Sequence, residues 1–112
     1  MKSYTDIEQS KVLAEILPAE SADVCYGIND DTLKYNDLPW LIPYHKYTAK
    51  EFYIPCWSLS ALFDAMPPIQ ELCSSTDHYY RVHCMNLFSE WHENAIDSCV
   101  EMIIKLHKKG LI

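Results

Sequence analysis

Glycine is nearly absent: Gly27 and Gly110 are the two among 112 residues. This argues against phosphate-cradling loops and flexible glycine linkers, and it leaves the turns to Asn, Asp and Pro. No CxxC pair occurs among the five cysteines, Cys25, Cys56, Cys73, Cys84 and Cys99. Their odd number and wide spacing speak against a disulfide framework. They are expected as reduced thiols in a cytoplasm, most of them acting as small buried hydrophobes. No stretch approaches the ~20 apolar residues that a membrane span needs. The N-terminal MKSYTDIEQSKVLAEIL is cut up by Glu8, Lys11 and Glu15, where a secretion signal needs an unbroken apolar core. Positive charge is scarce as well, with nine Lys and Arg against sixteen Asp and Glu, a formal charge of −7. Nucleic acid is bound largely by neutralising phosphates, so this balance disfavours it as a partner. The one basic cluster, Lys105, His107, Lys108 and Lys109, falls where a last helix should end and complements the helix dipole there.

What remains is an ordinary globular composition, 49% hydrophobic and 22% charged, in a chain long enough for one core. A single domain over residues 1–112 is expected. Its first helix is signalled by Thr5 and Glu8 in capping-box spacing, by Ile7, Leu13, Ile16 and Leu17, and by the stop at Pro18. SADVCYGI reads as a strand through Val24 to Ile28, NDD at 29–31 as a turn, and TLKY as a returning strand. Pro39, Pro43 and Pro55 lack the N–H of a central strand, so a regular interior sheet is not expected across all of 36–57, although HKYTAKEFYI can supply one arm.

In WSLSALFDAMPP, Ser58 is an N-cap ahead of Leu59, Leu62, Phe63 and Met66 at helical spacing. Trp57 and Leu62 stand in the positions of a hydrophobic staple. HYYRVHCMNLFSEWHE alternates as a strand and hairpin, with Tyr80, Val82 and Cys84 on one face and Tyr79, Arg81 and His83 on the other. The last helix is capped by Asn94, carries an apolar stripe through Ile96, Cys99, Val100, Ile103 and Leu106, and ends at Gly110 with Leu111 folding back. The order implies an α+β fold, three helices on a small antiparallel sheet of about three to four strands.

Three blocks, YTDIEQSKVLAEILPAESADV (4–24), YIPCWSLSALFDAMP (53–67) and AIDSCVEMIIKLHKKGLI (95–112), resemble small uncharacterised proteins of Bacteroides-type gut bacteria and their prophages or other mobile elements. The resemblance covers about half the chain. It implies a bacterial cytoplasmic setting and transfers no catalytic residue.

Cys73, His78, His83, Cys84 and His92 are able to bind zinc, but no pair has knuckle spacing, and adjacent His83 and Cys84 face opposite sides of a strand. No metal and no cofactor is expected. Cys56 precedes a helix N-terminus, which can activate a thiol, yet Ile54, Pro55 and Trp57 around it favour burial. Asp30 with Asp31, and Glu90 with Glu93 and Asp97, can be read as acid–base pairs, but Asp30 and Asp31 fit a solvated turn and Asp97 fits the first turn of the last helix.

The aromatic residues carry the functional expectation. Residues 36–57 hold six of the fourteen, and Trp40, Tyr44, Tyr47, Phe52 and Tyr53 are the candidate partner-binding residues. Large, stiff rings with polar tips are enriched at interfaces. The expected function is a small cytoplasmic protein-binding or adaptor protein, through a partner protein or self-association. The alternative is a small-molecule-binding protein or weak enzyme with a pocket between sheet and helices that uses His78, His83 or Cys84.

Overall fold

The computed structural model describes residues 2–29, 34–35, 53–68 and 70–112. Among them are three α-helices, α1 (Ile7–Ala14), α2 (Leu59–Ala65) and α3 (Ala95–Lys108), and six strands. The strands are β1 (Val24–Asn29), β2 (Lys34–Tyr35), β3 (Tyr53–Cys56), β4 (Gln70–Ser74), β5 (Tyr80–Cys84) and β6 (Leu87–Phe88). The fold is α+β, with the strands divided between two three-stranded antiparallel sheets, β2-β1-β3 and β4-β5-β6.

Among the described strands β3 is the outer one of the first sheet, where a proline is tolerated, and Pro55 stands opposite Cys25. The chain's first residues then stitch this sheet to α2. Thr5 donates its N–H to the carbonyl of Trp57 at 3.0 Å, and the N–H of Trp57 returns to the Thr5 hydroxyl at 3.1 Å. That hydroxyl also meets Ser10 Oγ at 2.8 Å, so Thr5 is fully buried and does not cap α1. The cap is one residue on. Asp6 and Gln9 form the reciprocal capping box, at 2.7 and 3.0 Å, in place of Thr5 and Glu8.

Helix α2 starts where Ser58 caps it, its hydroxyl accepting from the N–H of Ala61. Asp23 in turn receives the N–H of Ser58 at 2.9 Å and its hydroxyl. Trp57 and Leu62 are both completely buried in one apolar cluster, as the staple spacing requires.

Helix α3 supplies more of the main core than any other single element. Ile96, Cys99, Val100, Ile103 and Leu106 are all buried, together with Met102. Each such aliphatic side chain contributes roughly 1.5–3 kcal/mol when fully buried, so the stripe outweighs any cap. The helix ends in a Schellman motif: Gly110 has φ +72°, its N–H reaches His107 O, and the N–H of Leu111 reaches Leu106 O at 2.9 Å. The side chain of Leu111 stays exposed, and Ile112 packs on the core in its place. Helix α3 lies against β5 and α2, while α1 lies against β3. Among the described residues no helix is long and apolar enough to cross a membrane.

Candidate functional site

The site is built on the face of the second sheet turned away from α3. Alternation along β5 buries Val82 and Cys84 beneath the sheet and leaves Arg81 and His83 above it. Register places His83 opposite both Glu71 and Phe88, and Arg81 opposite Cys73. The hairpin β5–β6 turns through Met85 and Asn86, both at positive φ (50° and 66°), the requirement of a two-residue type I′ turn.

Beyond β6 the strand falls one residue out of step. The N–H of Ser89 bonds Val82 O, and Ser89 Oγ takes the N–H of Val82, both at 2.9 Å. Pairing resumes with His92 opposite Tyr80, at 2.7 and 2.8 Å. Glu90 and Trp91 therefore face a single residue, Arg81, across a β-bulge, a device that re-aims side chains.

The outcome is a stack of rings and a cation at the surface. The His83 and Phe88 rings lie 4.2 Å apart and 6° from parallel. The Arg81 guanidinium carbon sits 4.4 Å from the Phe88 centroid and 4.8 Å from that of Trp91. Each exposed cation–π contact is worth about 0.5–1 kcal/mol, enough to hold an arrangement but too little to require it for folding. Arg81 Nε is enclosed without a hydrogen-bond partner, so apolar rings replace water around part of this charge. Phe88 and Trp91 nonetheless remain 43% exposed and Tyr79 41%, which makes this an aromatic surface and not a buried cluster.

Helix α3 anchors the bulge from below. Glu101 accepts the N–H of Glu90 on both oxygens and Nε2 of His92 at 2.7 Å. It also pairs with Lys105, whose ammonium donates to Phe88 O at 2.7 Å. Burial pushes the Glu101 carboxyl up, but the hydrogen bonds from His92, Lys105 and Glu90 outweigh it and hold the group below its ordinary value. Lys105 thus belongs to this clamp as well as to the basic end of α3.

At the other end of β5 a cavity of about 330 Å³ is lined by Ser75, Asp77, Tyr79 and Trp91. The turn beneath it is tightly bonded: the N–H of His78 reaches Ser75 O, that of Ser75 reaches Tyr79 O, and that of Tyr79 reaches Ser75 Oγ. His78 closes the turn at φ 64°, the left-handed position usually given to Gly or Asn. A second cavity, about 440 Å³, is lined by Lys2, His78, Tyr80, Glu93 and Asn94. Its Lys2 is already held by Asp6 and Asp97 at 3.0 and 2.9 Å.

Of the residues singled out from sequence, Trp40, Tyr44, Tyr47 and Phe52, and the pair Asp30 and Asp31, lie outside the described residues. Tyr53 is part-buried in β3. His83 and Cys84 fall on opposite faces of β5, so they do not converge with His78 on one pocket. Among the described residues no group of three His, Cys, Asp or Glu is arranged to hold a metal ion. Cys56 is fully buried and donates to Thr5 O at 3.4 Å. Burial raises its thiol pKa against the hydrogen bonds of Thr5, Ser10 and Tyr26, the reverse of nucleophile activation. Asp97 is a tether, bonded by Lys2, by Gln9 Nε2 at 2.7 Å and by Asn94 Nδ2 at 2.9 Å.

Phe88, Trp91 and Arg81 were not singled out from sequence as a site. The available signal was the alternation placing Arg81 and His83 outward, followed across a Met-Asn turn by two further aromatics. Comparison with known proteins places no relative beside this geometry: no family model, no curated protein and no solved structure matches the chain.

Proposed function

We propose that the chain is a small cytoplasmic protein-binding module that engages a partner protein through the outer face of β4-β5-β6. The observation that carries this reading is the exposed stack of His83, Phe88, Arg81 and Trp91. Arg and Trp are the residues most concentrated in the energetic centres of protein interfaces, and rings already held in place lose little freedom on binding. Hydrogen bonds to the part-buried Glu101 hold the bulge that presents Trp91, so the surface is pre-organised by the fold. A cytoplasmic setting is supported by the five cysteines, all of them free thiols. Trp40, Tyr44, Tyr47 and Phe52 stay within the proposal as further partner-binding candidates from sequence.

The test is a photo-reactive benzoyl-phenylalanine placed at Phe88 and, as a control, at Glu8, whose side chain is 88% exposed on α1. In cells of the source organism a discrete cross-linked species from position 88, absent from position 8, is expected. A product of twice the chain mass would make the partner a second copy. Cross-linking at position 8 alone, or at neither, would overturn the reading.

A further inference from the structure

Resting on that docking face, we infer that the cavity between Asp77, Tyr79, Trp91 and Ser75 receives a cationic side chain, lysine or arginine, from a basic segment of the partner protein. The lining supplies what such a group needs. Tyr79 and Trp91 offer exposed rings whose negative faces attract cations. Asp77 offers a carboxylate that forms no ion pair with any described residue. The hydroxyl of Ser75 accepts the N–H of Tyr79 at 3.1 Å, which fixes that ring's backbone at the rim. A space of about 330 Å³ is ample for a side chain of lysine or arginine size.

Position and charge agree on a cation over the other classes. The cavity lies next to the stack and shares Trp91 with it, so one partner surface can cover both. Arg81 already lies over the indole, so a second cation meets repulsion there that rings alone do not offset. The Asp77 carboxylate is therefore the required counter-charge, and it makes the site selective for cations over apolar groups. The net charge of −7 steers a basic partner towards the chain at long range.

The ¹⁵N-labelled protein is titrated with three blocked amino acids: the N-acetyl N-methylamides of lysine, norleucine and glutamate. A saturable shift at the amides of Asp77 and Tyr79 and at the Trp91 indole N–H is expected with the lysine probe alone, weakened by Asp77→Asn by roughly threefold to tenfold. The exposed turn position leaves the rest of the spectrum of Asp77→Asn unchanged. An equal response to norleucine would make the cavity an apolar crevice, and a response to glutamate would give the site to Arg81. Either outcome, or no saturable shift, overturns the inference. Repeating the cross-link from Phe88 in the Asp77→Asn background separates the two readings. A reduced yield supports the basic partner, whereas an undiminished yield overturns it and leaves the docking face standing. No cross-link in either background removes the docking face, and the titration then decides the cavity alone.

Discussion

Glu101 on α3 receives the backbone N–H of Glu90 on both carboxylate oxygens, at 2.9 and 3.1 Å. One side chain in a helix thus fixes the course of a bulged strand, and through it the position of Trp91. Removing it leaves the N–H of Glu90 and the His92 ring without this acceptor and the Lys105 ammonium with Phe88 O in place of its ion pair. Glu101→Ala is expected to cost about 1–3 kcal/mol, read as a lower urea midpoint at unchanged slope. It should also broaden the Trp91 indole resonance. An unshifted midpoint with an unchanged indole signal would show that the bulge holds itself.

The β5–β6 turn carries a correctable strain. Met85 occupies a left-handed conformation that costs an ordinary L-residue about 1–2 kcal/mol and costs Asn much less. Met85→Asn should therefore stabilise the protein by about 1 kcal/mol, measured by chemical denaturation. Destabilisation would mean that the exposed methionine makes contacts worth more than the strain.

Thiol accessibility follows burial. Cys73 is the part-exposed cysteine, while Cys25, Cys56, Cys84 and Cys99 are buried. Burial also pushes the Cys99 thiol up to about 12. Under native conditions at pH 7.5 (about one unit below a free thiol) iodoacetamide should modify Cys73 first, with the other four labelled only as the chain unfolds. Peptide mass spectrometry resolves the order, and Cys56 labelling as fast as Cys73 would contradict the packing around Thr5.

Acid sensitivity has two identifiable sources. Asp97, like Glu101, feels burial first, which raises its pKa, but Lys2, Gln9 and Asn94 more than offset it. Both carboxyls are therefore held below their ordinary values of 3.8 and 4.5. A depressed folded pKa means that the contribution is complete above the unfolded value and is lost as pH falls through the folded one. Melting temperature should hold from neutrality to about pH 4.5 and drop below it, and Asp97→Asn should flatten that drop. A drop of equal steepness in Asp97→Asn would assign the acid transition to other groups.

Much of the fold was legible because its signals are local. Asn94, the stripe from Ile96 to Leu106, and Gly110 define α3 within one segment, and Ser58 with Trp57 and Leu62 does the same for α2. Thr5 and Glu8 stand in capping-box spacing, yet α1 is capped one residue later, by Asp6 with Gln9. What decided it is a contact with Trp57, 52 residues away. Strand β4 has little strand propensity of its own in QELCS and owes its conformation to pairing with β5. The stack was hidden for a related reason. Trp91 reaches Arg81 only because the strand slips by one residue after Ser89, and no pattern of polar and apolar residues records that slip.

The tether at Asp97 also sets the order in which this protein can be made. Lys2 and Gln9 leave the ribosome ahead of their acceptor on α3, which follows 95 and 88 residues later. Thr5 likewise waits for Trp57, so the first helix cannot dock on the nascent chain while it is short. Contacts this distant in sequence place loop closure before any reward, which slows folding and joins it into one step. Release of α3 from the ribosome is the event that lets Asp97 close on Lys2 and Gln9.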